Sequence, residues 1–176
     1  MEISKGMKTN SKNYYLLTDT HLSHRKIIEY GRPENYEDKI KKALLNVVKP
    51  TDVLIHLGDV CLSNYVENHN WFKNNLKCKT ILVMGNHENK SNTFYLNNGW
   101  DFVCKRFSLK IFGKHITLSH CPIAWDGYYD INIHGHFHDT DHRRHEPQYN
   151  NILSEKHKLL AIEYTDYQPV NLEKFI

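Results

Sequence analysis

Five apolar segments of this chain each lead into side chains that bind metal ions. The segments 14–18, 53–57, 81–84, 116–119 and 131–133 are short and rich in β-branched and aromatic residues, which is typical of strands. In the same order, they lead to Asp19 and His21, Asp59, Asn86 and His87, His120, and His136 and His138. Ligands of open α/β sheets bind at the carboxyl ends of strands, so we expect these ends to converge on one polar cluster. Carboxylate, imidazole and amide ligands together suit a pair of divalent cations of borderline hardness.

Helical patterns and turns separate the five segments, which favours an α/β domain whose sheet is at least partly parallel. Residues 37–49 predict a helix that ends at Pro50 and carries one apolar face, formed by Ile40, Ala43, Leu44, Val47 and Val48. A less regular helix is expected between Val66 and Leu76. A third helix is expected from the capping residue Ser91 to about Gly99.

The second half of the chain predicts a hairpin, a long polar loop and a last strand. Residues 106–111 and 115–119 alternate around a turn and indicate a β-hairpin. Residues 159–164 predict a last strand, and 166–176 a tail that lies along it. The polar stretch 139–158 has almost no apolar periodicity, so we expect a loop that is either functional or mobile. We expect one domain over residues 1–176, with 1–12 as a flexible N-terminus.

Composition excludes several classes of protein. The 176 residues are 40% hydrophobic and 24% charged, as in ordinary globular proteins, and the net charge of +3 neither requires nor excludes a polyanionic partner. No apolar run approaches the roughly 20 residues that cross a bilayer, and the polar start lacks the core of a signal peptide. The four cysteines contain no C-x-x-C pair and predict reduced thiols, so the cytoplasm is the expected compartment. Of the thirteen histidines, His69, His115 and His157 are predicted to be incidental.

The spacing of the candidate ligands fits metal binding. Asp19 and His21 are two residues apart, so in an extended segment both side chains point to the same side, and His136 and His138 have the same spacing. Asp59 stands alone after a glycine, and its two oxygens could bridge two cations. Taken singly, each motif also occurs for structural reasons, since a Gly-Asp pair after a strand is more often a turn. Their order and their shared position at strand ends favour a metal site.

These motifs resemble those of the calcineurin-like metallophosphoesterases, and the resemblance runs from about Tyr14 to the last strand. The matching motifs are Asp19-x-His21, Gly58-Asp59, Gly85-Asn86-His87-Glu88, His120 and Gly135-His136-x-His138. The small single-domain phosphoesterases of bacteria and their phages are most similar, since the first motif continues to Arg32-Pro33 as it does there. The resemblance implies a four-layer α/β/β/α sandwich with two mixed sheets. It also implies one metal held by Asp19, His21, Asp59 and His138, and a second held by Asp59, Asn86, His120 and His136.

The resemblance also implies a reaction. Two cations can activate a hydroxide that attacks a phosphoester, and His87, which is not a ligand, would assist the leaving oxygen. Manganese is the first expectation, with Fe, Zn, Ni or Co as alternatives. Glu88 would orient a neighbouring histidine or lie at the surface, and His134 would support the site without ligating.

The expected activity is hydrolysis of a small or nucleotide-like phosphodiester. The alternatives are a phosphomonoesterase, a metal-dependent nuclease that acts on nucleic-acid ends, and a metal-binding scaffold without catalysis. Candidate substrate-binding residues are His24 and Arg25 after the first motif, and Arg143 and Arg144 in the polar loop. The aromatic residues 125, 128 and 129 would stack on a base or pack in the core. No membrane partner is expected, and the oligomeric state is left open.

Overall fold

Two mixed β-sheets organise residues 12–140 and 142–176, the part of the chain that this computed structural model describes. The strands are β1 (Tyr14–Leu17), β2 (Val53–His56), β3 (Lys79–Val83), β4 (Phe102–Cys104), β5 (Arg106–Ile111), β6 (Lys114–Ser119), β7 (Ile131–His134), β8 (His157–Leu159) and β9 (Val170–Asn171). The helices are α1 (Lys26–Glu29), α2 (Tyr36–Val47), α3 (Tyr65–Asn75), α4 (Asn92–Asn97) and α5 (Leu172–Phe175). Short 3-10 helices lie at His142–His145, Pro147–Tyr149 and Ile162–Thr165. Apart from Lys12, the predicted flexible N-terminus lies outside the described residues.

Each sheet contains parallel strands, as the sequence predicted. The first has the order β4-β3-β2-β1-β9, in which β1 to β4 are parallel and β9 is antiparallel to β1. The second has the order β5-β6-β7-β8, in which the predicted hairpin β5–β6 is antiparallel and the other pairs are parallel. Leu17 lies opposite His56 and Ser119 opposite His134, so the carboxyl ends of these paired strands are level. The loops that follow them therefore start from the same edge.

The sheets pack face to face, and helices cover the outer face of the first sheet. Alternate residues of a strand point to opposite faces. Leu16 and Ile55 therefore enter the core between the sheets, together with Ile133 of β7. Leu17 and Leu54 enter a separate core beneath the helices. These observations confirm the expected α/β class with two mixed sheets.

The predicted amphipathic helix is α2, which starts and ends close to the expected bounds. Its buried side chains Ile40 and Leu44 pack in the helix-side core. Tyr36, in its first turn, donates a hydrogen bond through its hydroxyl to the carbonyl of His21 at 2.6 Å. The helix thus holds the loop that follows β1. The predicted cap of α4 is also present, since Ser91 Oγ accepts from the amide of Phe94 at 3.2 Å.

The predicted last strand is wrong over most of its length. Residues 159–164 form only the last residue of β8 and the start of a 3-10 helix. Leu160 is buried between the sheets, while Ile162 is buried in the helix-side core. The apolar run therefore crosses from one core to the other instead of continuing a sheet. The tail does not lie along this segment either, because Val170 pairs with Leu16 of β1.

The long polar loop contains regular structure and packs against the segment that follows β7. It holds two of the 3-10 helices and ends in β8. Tyr149 anchors it, since its buried ring lies 5.0 Å from the ring of Phe137. None of the helices in the described part of the chain is long and apolar enough to span a membrane.

Two of the histidines predicted to be incidental have structural contacts. His69 is buried, and its Nδ1 accepts a hydrogen bond from Trp100 Nε1 at 3.0 Å. His157 is half-buried and donates through Nε2 to the carbonyl of Ile123 at 2.8 Å. Their polar sequence neighbours gave no sign of these partners. All four cysteines are free, as expected.

Candidate metal centre

Four predicted ligands converge on one point between the two sheets. His120 Nε2 lies 2.9 Å from Asn86 Oδ1, 3.1 Å from His136 Nδ1 and 3.3 Å from Asp59 Oδ2. Ligand atoms held about 2.0–2.2 Å from one ion stand roughly 3 Å apart. The four atoms therefore match the coordination shell of a single divalent cation, and they are the set that the family resemblance implies for the second metal.

The other predicted ligands form an adjoining cluster. Asp19 Oδ1 lies 3.9 Å from His21 Nε2 and 3.7 Å from His138 Nε2, and His21 Nε2 lies 3.7 Å from Asp59 Oδ2. Asp19 Oδ1 and both ring nitrogens of His21 are buried, and no hydrogen-bond partner reaches them in the described part of the chain. Such atoms are costly to bury without a partner, so this cluster also fits a cation. Asp59 Oδ2 faces both clusters, where it would contact a cation in either one.

Five of the seven candidate ligands have a strained backbone. They have positive φ angles of 48° at Asp19, 46° at His21, 56° at Asp59, 71° at His136 and 53° at His138. This conformation is uncommon outside glycine and costs about 1–3 kcal/mol per residue unless its surroundings enforce it. Backbone hydrogen bonds between the loops help to hold this conformation. The amides of Asp19 and His21 donate to the carbonyls of Gly58 and Asp59 at 2.9 and 3.0 Å.

Two motif glycines allow the loops to approach one another. A Cβ atom on Gly85 would lie 2.7 Å from the amide nitrogen of Asp59 and 2.9 Å from His120 Nδ1. A Cβ atom on Gly135 would collide with the side chains of Thr18 and Asp19. A larger residue at either position would push a ligand away. These glycines therefore belong to the site although they bind nothing.

Glu88 holds the loop backbones, which differs from both roles expected for it. It is buried, and its carboxylate accepts hydrogen bonds from the amides of Asp59, Gly85 and Val60 at 2.7, 2.7 and 3.0 Å. It contacts neither a histidine ring in these bonds nor the surface. Burial and the neighbouring Asp59 charge raise the pKa of Glu88, while the three amides oppose that rise.

His134 lies behind the ligands, in agreement with the support role expected for it. Its ring is buried, with Nδ1 3.0 Å from the carbonyl of Gly135. Burial lowers the pKa of His134 to about 4, so the ring is neutral near pH 7. It therefore packs beside the site without adding charge.

A buried charge pair joins the two sheets at the second cluster. Burial disfavours the charge on both Asp59 and His120, but their mutual interaction, the neighbouring charges and the backbone hydrogen bonds together outweigh burial. The result is a lowered pKa for Asp59 and a pKa raised to about 9 for His120. Burial and the His120 charge instead lower the pKa of His136 to about 3. A cation binding here would displace the proton of His120, because a metal ligates the neutral ring.

Sequence reasoning missed an ion pair that orients His138. Glu163 Oε1 lies 3.1 Å from His138 Nδ1 and 2.6 Å from Arg32 Nη2. The same Nη2 donates to the carbonyl of Asp19 at 2.8 Å. Carboxylates commonly fix metal-binding histidines in this way. Arg32 could have been noticed from the Arg32-Pro33 pair of the resemblance, whereas no spacing rule connects Glu163 to the site.

His87 lies at the rim of the metal centre. Its backbone amide donates to Asp59 Oδ1 at 3.0 Å, and its Nε2 lies 3.8 Å from Asp59 Oδ2. Its side chain is 35% exposed, unlike the buried ring of His21, 5.3 Å away. The His87 ring therefore faces both the ligands and solvent.

The structure brings only some of the candidate substrate-binding residues to the ligands. The His24 ring lies 5.5 Å from that of His21, and Arg143 Nη1 lies 3.4 Å from His136 Nε2. Arg25 is exposed and makes no hydrogen bond or ion pair with the ligands among the described residues. Arg144 lies near His134, whose pKa its charge helps to lower.

The aromatic residues between His120 and β7 do not form a common surface. Tyr129 is buried, as the core-packing alternative predicted, and its hydroxyl donates to the carbonyl of Ile123 at 2.8 Å. Trp125 and Tyr128 are exposed.

Comparison with known proteins identifies the family. The family model of the calcineurin-like phosphoesterases matches residues 13–170. An uncharacterized protein of Methanocaldococcus jannaschii is 28% identical over 174 residues, which cover 94% of this chain and 90% of that protein. The crystal structure of a protein of unknown function from Aquifex aeolicus aligns with a TM-score of 0.72 and 26% identity, over 93% of this chain and 97% of that one. The chain therefore belongs to the calcineurin-like phosphoesterases and is a metal-dependent hydrolase of phosphoester bonds.

Proposed function

We propose that this chain hydrolyses a small, nucleotide-like phosphodiester with two divalent metal ions and with His87 at the leaving oxygen. The observation that carries the proposal is the pair of ligand clusters that share Asp59 Oδ2, with the half-exposed His87 beside them. When bound, two such cations supply a nucleophile near neutral pH and stabilise the charge on the phosphoryl oxygens. Manganese remains the metal proposed first.

The chain's own residues would bind the two metals and assist the leaving oxygen. Asp19, His21 and His138 would hold the first metal, and Asn86, His120 and His136 the second, with Asp59 shared. His87 is positioned by its amide bond to Asp59 and faces solvent, where a substrate would enter. A proton delivered from its ring to the leaving oxygen would accelerate the reaction about 10²- to 10⁴-fold.

A shallow groove lined by Lys90, which lies in the same loop as His87, could hold a leaving group of nucleotide type. Its volume is about 430 Å³, and it is lined by Asn64, Tyr65, Val66, Glu67, Lys90 and Phe94. Lys90 follows His87 by three residues, and its Nζ lies 5.4 Å from the centre of the Tyr65 ring. An aromatic base could stack on the Tyr65 or Phe94 ring, and the lysine could meet a second phosphate.

The test is hydrolysis of bis(p-nitrophenyl) phosphate with added Mn²⁺. We expect turnover that a chelator abolishes. The His87→Ala variant should retain its metal content in elemental analysis and lose about 10²- to 10⁴-fold in kcat. His115→Ala, on the β5–β6 hairpin, is the matched control and should keep full activity. Undiminished turnover in His87→Ala would show that His87 has no part in the reaction.

A substrate screen distinguishes the alternatives. It would compare phosphomonoesters, cyclic nucleotides, dinucleotides and short oligonucleotides at equal concentration. Preference for monoesters would identify a phosphomonoesterase, whereas cleavage of oligonucleotides with steep salt dependence would identify a nuclease. Bound metal without turnover on any of these substrates would leave a metal-binding scaffold.

A further inference from the structure

The nitrogen that a ligating histidine turns away from its metal should meet a hydrogen-bond acceptor. A neutral imidazole that binds a cation through one nitrogen carries its proton on the other. Two of the four candidate histidine ligands follow this rule, while Nδ1 of His21 meets no acceptor among the described residues. His120 turns Nε2 to the second cluster, and its Nδ1 lies 2.8 Å from the carbonyl of Leu57. His138 turns Nε2 to Asp19, and its Nδ1 lies 3.1 Å from the Glu163 carboxylate.

His136 departs from the rule. Its Nδ1 faces the second cluster, 3.1 Å from His120 Nε2, while its Nε2 lies 3.4 Å from Arg143 Nη1. A guanidinium carries only donors. The contact is therefore a hydrogen bond only while Nε2 is unprotonated. Ligation through Nδ1 places the proton on Nε2, and two N–H groups then face each other.

Within the described part of the chain, Arg143 has no anionic partner to hold it in this position. No carboxylate of residues 12–140 or 142–176 forms an ion pair with its guanidinium. Arg32, by contrast, donates to Glu163 and to the carbonyls of Asp19 and Thr20. Arg143 is half-buried beside the ligands, and a cation that is taken out of water needs an anion close by.

The segment that carries Arg143 is fastened next to the metal centre. The Tyr149 ring packs 5.9 Å from the ring of His136 and 5.0 Å from that of Phe137. The guanidinium therefore stays near the second cluster even when its contact with His136 is lost. The Arg143 guanidinium would then be close enough to contact an anion bound at the metals.

We propose that loading of the second metal site releases Arg143 from His136 and that the freed guanidinium then binds the phosphoryl oxygens of the substrate. This proposal rests on the proposed function and deepens it, since it names the residue that recognises the phosphoryl group. Planar guanidinium groups bind such oxygens through two parallel hydrogen bonds. In the metal-free protein, Arg143 would thus stay in contact with His136. Metal binding would free its guanidinium to bind the substrate.

Calorimetric titrations with Mn²⁺ and then with inorganic phosphate test the proposal. In Arg143→Met, which keeps most of the side-chain length, we expect Mn²⁺ to bind the second site about 3- to 10-fold more tightly, because a nearby positive charge is gone. Phosphate should bind the Mn²⁺-loaded variant roughly 10- to 100-fold more weakly than the loaded wild type. Arg143→Lys should recover part of the phosphate affinity. Arg106→Met, on the exposed face of β5, is the control and should change neither affinity.

The opposite signs of the two effects separate this role from a structural one. Weaker binding of both Mn²⁺ and phosphate in Arg143→Met would show that Arg143 merely supports the fold, and circular dichroism would reveal a variant that has not folded. Unchanged phosphate affinity would show that the released guanidinium turns to solvent. Either result overturns the proposal, as does a loaded wild type that binds no phosphate.

The titrations need no turnover, so their result can be distinguished from the result of the hydrolysis assay. If the expected affinities are found in a protein that hydrolyses no phosphoester, only the proposed function fails. If the wild type hydrolyses the aryl diester while Arg143→Met binds phosphate normally, only the role of Arg143 fails.

Discussion

At the scale of single residues, the carboxylates of buried Glu88 and half-buried Glu163 hold the candidate ligands in place without belonging to the candidate ligand set. Glu88 gathers the amides of three loop residues, and Glu163 fixes the ring of His138. Both roles depend on atoms that are distant in sequence. The motif around Glu88 marks the residue as important, but its hydrogen-bond partners follow only from the packing of the two loops.

Replacing Glu163 by Gln should weaken the metal centre and the fold together. The glutamate and Arg32 side chains are 11% and 3% exposed, so the variant leaves a buried guanidinium without its counter-charge. We expect a loss of about 3–5 kcal/mol in the free energy of unfolding of the metal-free protein. The affinity for Mn²⁺ should fall about 10- to 100-fold, because His138 loses the carboxylate that orients it. Urea unfolding and metal titration measure the two effects.

Asp166→Asn is the matched control for this substitution. Asp166 also pairs with a cation, Lys39, at 2.8 Å, but its side chain is 69% exposed. Exposed pairs contribute at most about 1 kcal/mol, and asparagine accepts the positive φ of 48° at this position. Equal losses in the two variants would mean that burial of the Arg32 pair does not matter.

At the scale of elements, the strands and helices that the sequence predicted well have a local cause. β1 and β2 are largely apolar because both of their faces are buried, and α2 shows a helical period because one of its faces is buried. The cap of α4 is likewise formed by a side chain three residues from its partner. Signals of this kind lie within a few residues of the element that they specify. The seven candidate ligands were found for the same reason, since each follows a strand end.

The elements that sequence reasoning missed are decided by distant partners. Residues 160–162 resemble a strand, but Leu160 and Ile162 enter different cores. Val170 pairs with β1, more than 150 residues earlier, and its two-residue strand carries no pattern of its own. The segment 143–149 has no apolar period because, among these residues, Tyr149 is the one buried side chain. A contact between residues far apart leaves no local periodicity to read.

Substitutions at two adjacent leucines of α2 test which face of the helix packs in the helix-side core. Leu44 is fully buried in the helix-side core, whereas Leu45 is 53% exposed. We expect Leu44→Ala to cost about 2–5 kcal/mol of unfolding free energy, because it removes buried methyl groups and leaves a cavity. Leu45→Ala should change the stability by about 1 kcal/mol or less. Helix propensity changes equally in both, so similar losses in urea unfolding would contradict the assigned packing.

At the scale of the whole molecule, the candidate site exists only because the two sheets are held in register. Asp59 follows β2 of the first sheet, while His120 follows β6 of the second. The apolar core between the sheets, which includes Ile55 and Leu118, fixes the distance between those strand ends. The fold therefore supplies what the loops cannot, namely one fixed geometry for ligands from opposite sheets.

The same tight packing makes the stability of the molecule depend on pH. His56, His69 and His134 are buried, and burial lowers their pKa from 6.5 to about 3, 4 and 4, respectively. The unfolded chain binds protons at these residues below about pH 6.5 and the folded chain does not. The contribution of these three residues to stability is therefore fully present above pH 6.5 and is lost as the pH falls toward 4.

His69 isolates one part of this pH dependence, because its contacts are with Trp100 and Cys61 and not with the candidate ligands. We expect His69→Gln to reduce the slope of unfolding free energy against pH by up to about 1.4 kcal/mol per unit between pH 6 and 4.5. Urea unfolding of the metal-free protein at several pH values measures the slope. His115→Gln, on the half-exposed hairpin, should leave it unchanged. An unaltered slope in His69→Gln would mean that the buried ring takes up its proton without unfolding.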